Sequence, residues 1–440
     1  MDSLTPSPEE LQDTSVETLG KRKVLSPFSK EMTAFVNDED AISVYSNWSE
    51  IEPYFKQQKK PPVFEISGPR KDLFFSPPEI NCGIVTCGGL CPGLNDVVRT
   101  ITLTLFWQYR VKKVLGFRYG YAGLSRHPRE KPVILTPEHV EEIQHEGGTI
   151  LGTSRSHHNP KETVDTLVKY KINILFVIGG DGTLSGASDI DMEIKKRNLS
   201  ISVIGIPKTI DNDIYCSQKT FGFSSAVEVA RKSIYAAHEE AKAAWNGVGL
   251  VKLMGRDSGF IAAYASLANS DSNFCLIPEV SFVLDGQEGL LKVLERRLEK
   301  KHHAVIVVAE GAGQNLIDDK KDLGKDASGN IRYKDIGLFL KEKITHHFKQ
   351  QSIPLTLKYI DPSYTIRSCP ADAFDSTFCI LLGQHAVHAG MAGKTNMFIG
   401  YWDHHFVHVP LHLSAHKRKK VNPQSDLWQT VLVTTEKVGG

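Results

Sequence analysis

From about Ile80 onward, short apolar runs alternate with longer stretches whose apolar residues recur at helical spacing. The apolar runs predict strands at 82–87, 112–117, 173–178, 201–206, 248–253, 274–277, 304–308, 355–359 and 396–400. The stretches between them predict helices, for example at 93–108, 137–146, 183–196, 224–245, 285–301, 333–350 and 371–392. Strands that alternate with helices are typical of a mostly parallel sheet covered on both faces. Because so many strands are unusual in one open sheet, we expect an α/β protein with two doubly wound (Rossmann-like), mostly parallel-sheet domains.

The chain before residue 76 has a different pattern. Residues 1–75 are rich in Ser, Pro, Glu and Lys and carry only scattered apolar residues. This composition predicts a partly disordered N-terminal extension. We expect it to dock on the body of the protein through Tyr54, Phe55 and Phe64.

The predicted helix 224–245 marks a second change in organisation. It opens with Ser225-Ala226-Val227-Glu228, which has the spacing of a capping box. Alanines and apolar residues then continue at helical spacing. We interpret this helix as the bridge between two domains, with the second domain starting near residue 225.

Composition and charge limit the class of partner. The chain has 440 residues, of which 41% are hydrophobic and 23% charged, as in globular proteins. Its formal net charge of +1 provides no general field for attracting nucleic acid or a membrane surface. Apolar runs stay shorter than about 18 residues, and the N-terminus has early acids without an apolar core. We therefore expect a cytoplasmic protein with no nucleic-acid and no membrane partner.

Two further features have ordinary structural explanations. Seven cysteines form an odd count without the spacing of a disulfide framework, so we expect reduced thiols. The basic run His416-Lys417-Arg418-Lys419-Lys420 is interpreted as a solvated loop.

The most informative stretch is the decapeptide 205–214, Gly-Ile-Pro-Lys-Thr-Ile-Asp-Asn-Asp-Ile, which follows a predicted buried strand. If this loop is extended, Asp211 and Asp213 face the same way and repel each other. A carboxylate pair near a hydroxyl is suited to removing a proton from a substrate alcohol while a metal neutralises charge nearby. An Asp/Asn-rich turn that makes its own hydrogen bonds would give the same pattern.

Two other predicted strands also end in loops with a chemical signature. One strand runs into Gly179-Gly180-Asp181-Gly182-Thr183, and another opens into Gly88-Gly89-Leu90-Cys91-Pro92-Gly93-Leu94-Asn95. Glycines at a strand end let backbone N–H groups surround a phosphate, and the following helix points its positive end at it. Asp181 is placed to reach a Mg²⁺ held by that phosphate. Three such junctions predict one crevice at the carboxyl ends of a parallel sheet.

These motifs carry a resemblance to a known family. GGLCPGLN, GGDGT, PKTIDND, MGRDSGFIA, AEGAGQ and KYIDPSYTIR occur between residues 88 and 367 in the order found in the 6-phosphofructokinase family. The resemblance extends over roughly residues 80–400, and in its details the chain looks most like the ATP-dependent branch of plants and several protists.

The resemblance implies transfer of a phosphoryl group to the C1 hydroxyl of fructose 6-phosphate. Asp211 would be the general base, Asp213 would support it, Thr209 would contact the sugar or the transferred phosphoryl, and Lys208 would supply charge. The residues that would bind the Mg²⁺–ATP donor are Gly88, Gly89, Arg155, Gly180, Asp181, Gly182 and Thr183, with Asp181 as the metal ligand.

The sugar phosphate needs its own group of donors. The family's substrate segments match Met254, Gly255, Arg256, Glu310, Lys358, Tyr364 and Arg367, besides Thr209 and Asp211. Of these, Glu310 would accept from sugar hydroxyls, and Lys358, Tyr364 and Arg367 would hold the 6-phosphate.

The resemblance also implies an organisation. A larger nucleotide-binding domain would contain residues 76–224 and about 370–412, because in the family the chain returns to the first domain. A smaller sugar-phosphate-binding domain would contain 225–369 and about 413–440. Family members are mostly tetramers or dimers, so a homo-oligomer is expected.

The identity of the donor is where two residues disagree. Gly182 leaves room for the α-phosphate of ATP, where pyrophosphate-dependent relatives have an aspartate, whereas Lys208 is the residue that pyrophosphate users carry. Ser156-His157 replaces two glycines that usually follow the arginine at 155, which bears on donor affinity. ATP is expected as the donor. The alternatives are a pyrophosphate-dependent phosphofructokinase, a NAD or lipid kinase with the same GGDGT run, and a catalytically silent regulatory subunit.

Overall fold

The computed structural model describes residues 6–7, 9–11, 13–30, 34–154, 159–317, 324, 332–414 and 417–439. Its strands are β1 Glu17–Thr18, β2 Val24–Leu25, β3 Ala41–Ser43, β4 Val63–Ile66, β5 Asp72–Leu73, β6 Asn81–Thr86, β7 Lys113–Phe117, β8 Val133–Leu135, β9 Ile172–Gly179, β10 Ser202–Pro207, β11 Gly247–Leu253, β12 Phe274–Leu276, β13 His303–Ala309, β14 Thr356–Ile360, β15 Lys394–Thr395, β16 Met397–Trp402 and β17 His405–Pro410. Its α-helices are α1 Trp48–Lys56, α2 Leu94–Leu103, α3 Pro160–Lys169, α4 Asp181–Lys196, α5 Phe223–Lys242, α6 Phe260–Asn269, α7 Leu290–Lys301, α8 Ile336–Gln350, α9 Ser363–Ser368, α10 Ala373–Met391, α11 Leu411–Ser414 and α12 Asp426–Thr434.

The larger sheet has the strand order β3-β4-β17-β16-β10-β9-β6-β7-β8. Its five central strands, β16 to β7, run parallel, and the strands on both sides are antiparallel to their neighbours. In β9 the run Ile174–Ile178 is completely buried, because both faces of the sheet are covered. The central part is therefore the doubly wound unit that the apolar runs predicted.

The smaller sheet is entirely parallel, with the strand order β12-β13-β11-β14. Helices α5, α6, α7 and α8 pack against its strands. The predicted fold class, an α/β protein with two mostly parallel sheets, is confirmed.

One predicted helix is absent, and another begins later than predicted. The segment 137–146 contains only two short 3-10 turns, Glu138–Val140 and Ile143–His145. Val140 and Ile143 are its only buried apolar residues, too few to hold a continuous helix. The helix predicted from 285 begins at Leu290.

The predicted capping box at the start of α5 is also wrong. The helix begins at Phe223, after Gly222 in a left-handed conformation with φ 83°. Ser225 donates from its hydroxyl (2.7 Å) and its amide (2.8 Å) to Oδ2 of the buried Asp375. Glu228 pairs instead with Arg231. Because this helix end is buried against α10, a carboxylate from that helix serves as the cap.

The segment predicted as an extension contributes strands to the body. β4 pairs with β17 and β3 pairs with β4, so these two strands extend the larger sheet at its β17 edge. Phe64 is completely buried, and Tyr54 packs on the adjoining core. Phe55 is 59% exposed, so its predicted docking role is wrong.

A buried carboxylate joins this segment to the sheet. Glu65 accepts hydrogen bonds from Nη2 of Arg70 (2.7 Å), Nζ of Lys394 (2.7 Å) and Nδ1 of His408 (3.1 Å). Burial alone would raise the pKa of Glu65, but the hydrogen bond from His408 and the charge of Lys394 hold it below its usual range. Arg70 and Lys394 are nearly inaccessible, so Glu65 neutralises charges that water does not reach.

Replacing Glu65 by glutamine is expected to lower the free energy of unfolding by about 3 kcal/mol, because two buried cations lose their main counter-charge. Since the pKa of Glu65 is lowered on folding, its stabilisation is present above the unfolded pKa of about 4.3 and is lost as the pH falls. Urea unfolding at neutral and acidic pH measures both effects. The exposed Glu141→Gln is the matched control, and a loss equal to that of the control would contradict the prediction.

Candidate active site

The three glycine- and aspartate-bearing loops predicted from the sequence lie side by side. Strands β10, β9 and β6 are neighbours in the sheet, and all three end at the same edge. The amide of Lys208 donates to the carbonyl of Gly179 (2.9 Å), and the amide of Cys87 donates to that of Ile178 (2.9 Å). The three strand ends therefore adjoin one another, as expected for the carboxyl edge of a parallel sheet.

The loop after β10 is a tight turn that makes its own hydrogen bonds, the alternative to an extended loop. Asn212 has a left-handed backbone with φ 52°, and its Oδ1 accepts from the amide of Thr220 (3.0 Å). The hydroxyl of Thr209 donates to Oδ1 of Asp213 (2.8 Å) and accepts from the amide of Asp211 (3.1 Å). These bonds place both aspartates around one threonine hydroxyl.

Asp211 has the environment of a proton acceptor. Its Oδ1 is shielded from solvent and has no hydrogen-bond partner among the described residues. Burial raises the pKa of Asp211 well above its ordinary value, and the charges of Asp213 and Glu310 raise it further. A raised pKa makes the ionised carboxylate a stronger proton acceptor, which suits a general base.

Lys208 and the loop after β6 form a second part of the site. The Lys208 ammonium donates to the carbonyl of Gly89 (2.7 Å). A Cβ added to Gly88, whose φ is +85°, would lie 3.0 Å from that ammonium, so the close approach requires glycine. The hydroxyl of Thr153 donates to the carbonyl of Gly88 (2.6 Å) and fixes this loop to the next. Arg155, and with it Ser156-His157, lies outside the described residues.

The loop after β9 begins a helix. Gly180 precedes α4, and Asp181 lies in its first turn. A Cβ added to Gly182 would meet no atom within 4 Å, so this side of the loop is open. The Thr183 side chain instead packs back on Gly179, and its carbonyl accepts from the Tyr121 hydroxyl (2.7 Å), which indicates a structural role.

The smaller sheet supplies the opposite wall. The amide of Glu310, after β13, donates to the carbonyl of Leu253 (2.9 Å), which precedes Met254, and the amide of Gly311 donates to that of Gly255 (3.1 Å). Burial raises the pKa of Glu310, and the charge of Arg256 opposes the rise. The guanidinium of Arg256 itself stacks on Tyr333, 4.7 Å from the ring centroid.

The two walls meet at Asp211. The Ser258 hydroxyl, from the loop after β11, donates to the Asp211 carbonyl (3.2 Å). The charges of Glu310 and Asp257 also act on the Asp211 carboxyl. The structure therefore brings Asp211, Asp213, Arg256 and Glu310 together from both sheets.

The predicted phosphate cluster is divided. Arg367 lies over the Tyr364 ring, 5.0 Å from its centroid, and its charge acts on the buried Glu310. Lys358 is half-exposed and contacts Glu240 at 4.0 Å. Glu240 lies roughly 25 Å along α5 from the end that adjoins the Asp211 loop. The structure does not bring Lys358 to the crevice, which corrects that expectation.

Sequence reasoning missed several charged residues of the crevice. Lys252 pairs with Asp335 (2.7 Å) and Asp361 (2.8 Å), and both hydrogen bonds raise its pKa against the opposing effect of burial. Arg418 contacts Asp257, although the basic run that contains it was predicted to be solvated. The position of Lys252 at the end of an apolar strand, two residues before Met254, was a usable signal.

Comparison with known proteins agrees with these motifs. A family model described as Phosphofructokinase matches residues 81–390. The chain is 49% identical over 438 residues to ATP-dependent 6-phosphofructokinase of Borreliella burgdorferi, covering 96% of each chain. It is 47% identical over 382 residues to the enzyme of the same name from Trypanosoma brucei brucei, covering 86% of this chain and 77% of that one. A crystal structure of pyrophosphate-dependent phosphofructokinase from Marinobacter aquaeolei matches with a TM-score of 0.65 at 19% identity, covering 82% of this chain and 92% of that one.

The chain belongs to the phosphofructokinase family, so the resemblance predicted from the motifs is confirmed. The structural match at 19% identity shows the shared fold alone. No helix of the described residues is long and apolar enough to span a membrane. In the same part of the chain, no three His, Cys, Asp or Glu side chains form a cluster suited to a metal ion.

Proposed function

We propose that the chain is an ATP-dependent 6-phosphofructokinase, which transfers the terminal phosphoryl group of ATP to the C1 hydroxyl of fructose 6-phosphate in glycolysis. The products are fructose 1,6-bisphosphate and ADP. The observation that carries this proposal is the buried Asp211 carboxyl: it follows β10, the next strands in the sheet, β9 and β6, end in the two glycine-rich loops, and the charge of Glu310 from the other sheet acts on it. The relatives named for this activity, at up to 49% identity over most of the chain, support it.

Asp211 acts as the general base. Its Oδ1, which is buried and has no hydrogen-bond partner in the part of the chain that the structure describes, accepts the proton of the sugar C1 hydroxyl as the oxygen attacks the phosphoryl group. The Thr209 hydroxyl, which joins the two aspartates, fixes the turn that aims this oxygen. Asp213 completes that turn and adds negative charge, which makes Asp211 a stronger base.

Lys208 and the glycine loops receive the donor phosphates. The ammonium of Lys208 lies against Gly88 and Gly89, where glycine lets backbone and charge approach a polyphosphate closely. Gly180 brings the N-terminus of α4 toward the same place, so its positive end adds to the field. Arg155 follows the same loop in sequence and is assigned to the donor by resemblance.

Mg²⁺ fits this arrangement. It usually binds through one or two carboxylates and the substrate phosphates, so one aspartate beside a phosphate site is a sufficient protein contribution. Asp181, in the first turn of α4 next to the open side of Gly182, would hold it. Held there, the ion would supply positive charge to the donor phosphates.

The sugar phosphate lies on the smaller sheet in this proposal. The buried Glu310 accepts from sugar hydroxyls, and Arg256 provides positive charge next to it. Met254 and Gly255 form the backbone that carries Arg256. Arg367, next to the exposed Tyr364, binds the 6-phosphate at the open end of the crevice.

Arg367→Ala is expected to raise the KM for fructose 6-phosphate by about 10- to 100-fold, because it removes a charge-assisted contact worth roughly 1.5–3 kcal/mol. The KM for ATP should change little, since the 6-phosphate does not react. Lys358→Ala is the matched comparison and should change either KM less than about threefold, because Lys358 lies elsewhere. Steady-state kinetics with each substrate varied measures both. If only the KM for ATP rises, then Arg367 contacts ATP and its assignment to the 6-phosphate is wrong.

A coupled assay with fructose 6-phosphate, Mg²⁺ and either ATP or pyrophosphate tests the function itself. Product formation with ATP and not with pyrophosphate is expected. Turnover with pyrophosphate alone would favour the pyrophosphate-dependent alternative, and phosphorylation of NAD or a lipid would favour the other GGDGT kinases. Absence of turnover with folded protein would favour a silent regulatory subunit.

We also propose a homo-oligomer, tetramer or dimer, in the cytoplasm. The glycolytic reaction and the oligomers common in this family support this part of the proposal. Light scattering on the purified protein measures the assembly, and cell fractionation measures the location.

A further inference from the structure

Residues 417–421, here called the C-terminal clasp, hold the loop that carries the proposed base. The amide of Lys419 donates to the carbonyl of Asp213 (2.8 Å). Its ammonium is buried and donates to the carbonyls of Ser217 and Gln218, both at 2.9 Å. The solvated loop predicted from the basic run is therefore wrong here, since Lys419 has only 3% exposure.

The clasp also contacts the opposite wall of the crevice. The amide of Val421 donates to Oε1 of Glu279 (2.8 Å), which also accepts from the amide of Gly259 (3.0 Å) at the start of α6. The Lys419 ammonium lies over the ring of Phe260, 5.4 Å from its centroid. The clasp thus joins the loop after β10 to the loop after β11.

Arg418 is the clasp residue nearest to the proposed chemistry. Its guanidinium contacts Asp257, and its Nη1 lies 4.0 Å from Oδ2 of Asp213. One cation therefore pairs with carboxylates from both walls. Arginine stays protonated at every pH at which an enzyme works, so this positive charge is constant.

Negative charge dominates the surroundings of Asp211. The groups that act on it are Asp213 on its own loop, Asp257 after β11, Glu310 after β13, Cys91 after β6 and Arg418 on the clasp. The groups that interact with Arg418 include Asp211, Asp213, Asp257 and Tyr333. The thiol of Cys91 stays neutral, since burial raises its pKa. The charge of Arg418 acts on Asp211 against that of three carboxylates, Asp213, Asp257 and Glu310.

We propose that Arg418 is a positioning residue for phosphoryl transfer, which holds Asp213 and Asp257 in place and keeps Asp211 ionised in the substrate complex. A protonated Asp211 could not accept the proton of the sugar hydroxyl. The opposing charges of Asp213, Asp257 and Glu310 would favour that protonated form without a nearby cation. The inference rests on the proposed role of Asp211 as the base.

The test is the pH dependence of the single-turnover rate of phosphoryl transfer with both substrates saturating, from about pH 5.5 to 9. Arg418→Gln should move the acidic limb of this profile upward by about one pH unit, because removing the cation raises the pKa of Asp211. At high pH the rate should return to within several-fold of that of the unmodified chain. Arg418→Lys keeps the charge and should keep the limb. Titration of the substrate phosphates, with a second pKa of about 6, is common to all variants and cancels in the comparison.

Two further variants sharpen the result. Lys420→Gln removes the same charge from the exposed neighbouring side chain and should leave the limb in place. Asp257→Asn removes a carboxylate that opposes ionisation of Asp211, so its limb should move to lower pH. This variant tests the proposal if Arg418→Gln does not fold, and an unchanged limb would then overturn it.

An Arg418→Gln profile whose limb coincides with that of the unmodified chain overturns the proposal. So does a rate loss that is independent of pH and equally large in Arg418→Lys, because that pattern belongs to a purely structural role. If Asp211→Asn is inactive and the acidic limb of Arg418→Gln does not move, then only the proposed role of Arg418 is wrong. If Asp211→Asn is active, then the assignment of Asp211 as the general base is itself wrong.

Discussion

Asp211→Asn is expected to lower kcat by at least about 100-fold, because the amide cannot accept the proton of the sugar hydroxyl. General-base catalysis contributes roughly 10²- to 10⁴-fold in rate, or about 3–5 kcal/mol of barrier. Asparagine has nearly the shape of aspartate, so the affinity for the sugar phosphate should change only a few-fold. Steady-state kinetics with ATP and fructose 6-phosphate measures both quantities. A variant that retains more than about a tenth of the kcat would remove Asp211 from the role.

The same substitution should leave the protein at least as stable. Folding raises the pKa of Asp211, so between the unfolded pKa of about 3.9 and the folded value the stability falls as the pH rises. Asparagine has no such penalty, and we expect a gain of about 1 kcal/mol in the free energy of unfolding near neutral pH. The exposed Asp285→Asn is the matched control and should change neither activity nor stability. A destabilised variant would mean that the loss of activity reports damage to the fold.

The predictable part of the fold was the part whose signal is local. The central strands are continuous apolar runs because both faces of each sheet are covered, and every such run was identified. β4 and β17 were not predicted, since each places a polar side chain in the sheet. Glu65 in β4 and His408 in β17 bond to each other, and Lys394 completes the group. These pairings join residues more than 300 positions apart, which no local pattern contains.

In the candidate site, too, the residues with a local sequence signal could be predicted and the others could not. Asp211 and Asp181 could be predicted because they follow apolar strands and therefore lie at the carboxyl ends of a parallel sheet. Arg418 and Lys419 could not, since a basic run is ordinarily solvated. Lys419 is buried only because the carbonyls of Ser217 and Gln218 accept its hydrogen bonds. Lys358 shows the opposite error: a motif residue was assigned to the site, but its side chain contacts Glu240 instead.

The choice of donor depends on the open side of Gly182. A Cβ there would meet no atom within 4 Å, and an acidic residue in the first turn of α4 is favourable for the helix. Gly182→Asp should therefore fold normally, so that its effect on kinetics reports the donor alone. Lys208 does not discriminate in the same way, because an ammonium bonded to the Gly89 carbonyl attracts the phosphates of either donor.

Gly182→Asp is accordingly expected to lower kcat/KM for ATP by about 10³-fold. Two like charges about 4 Å apart at an effective dielectric constant of about 20 repel by roughly 4 kcal/mol, which corresponds to that factor. Pyrophosphate has no α-phosphate to meet the new carboxylate, so its use should not fall and could become detectable. Gly182→Asn adds similar bulk without charge, and a much smaller loss in this variant would assign the effect to charge. Measuring kcat/KM with both donors decides the matter: if the unmodified protein uses pyrophosphate as well as ATP, then Gly182 does not determine the donor and Lys208 does.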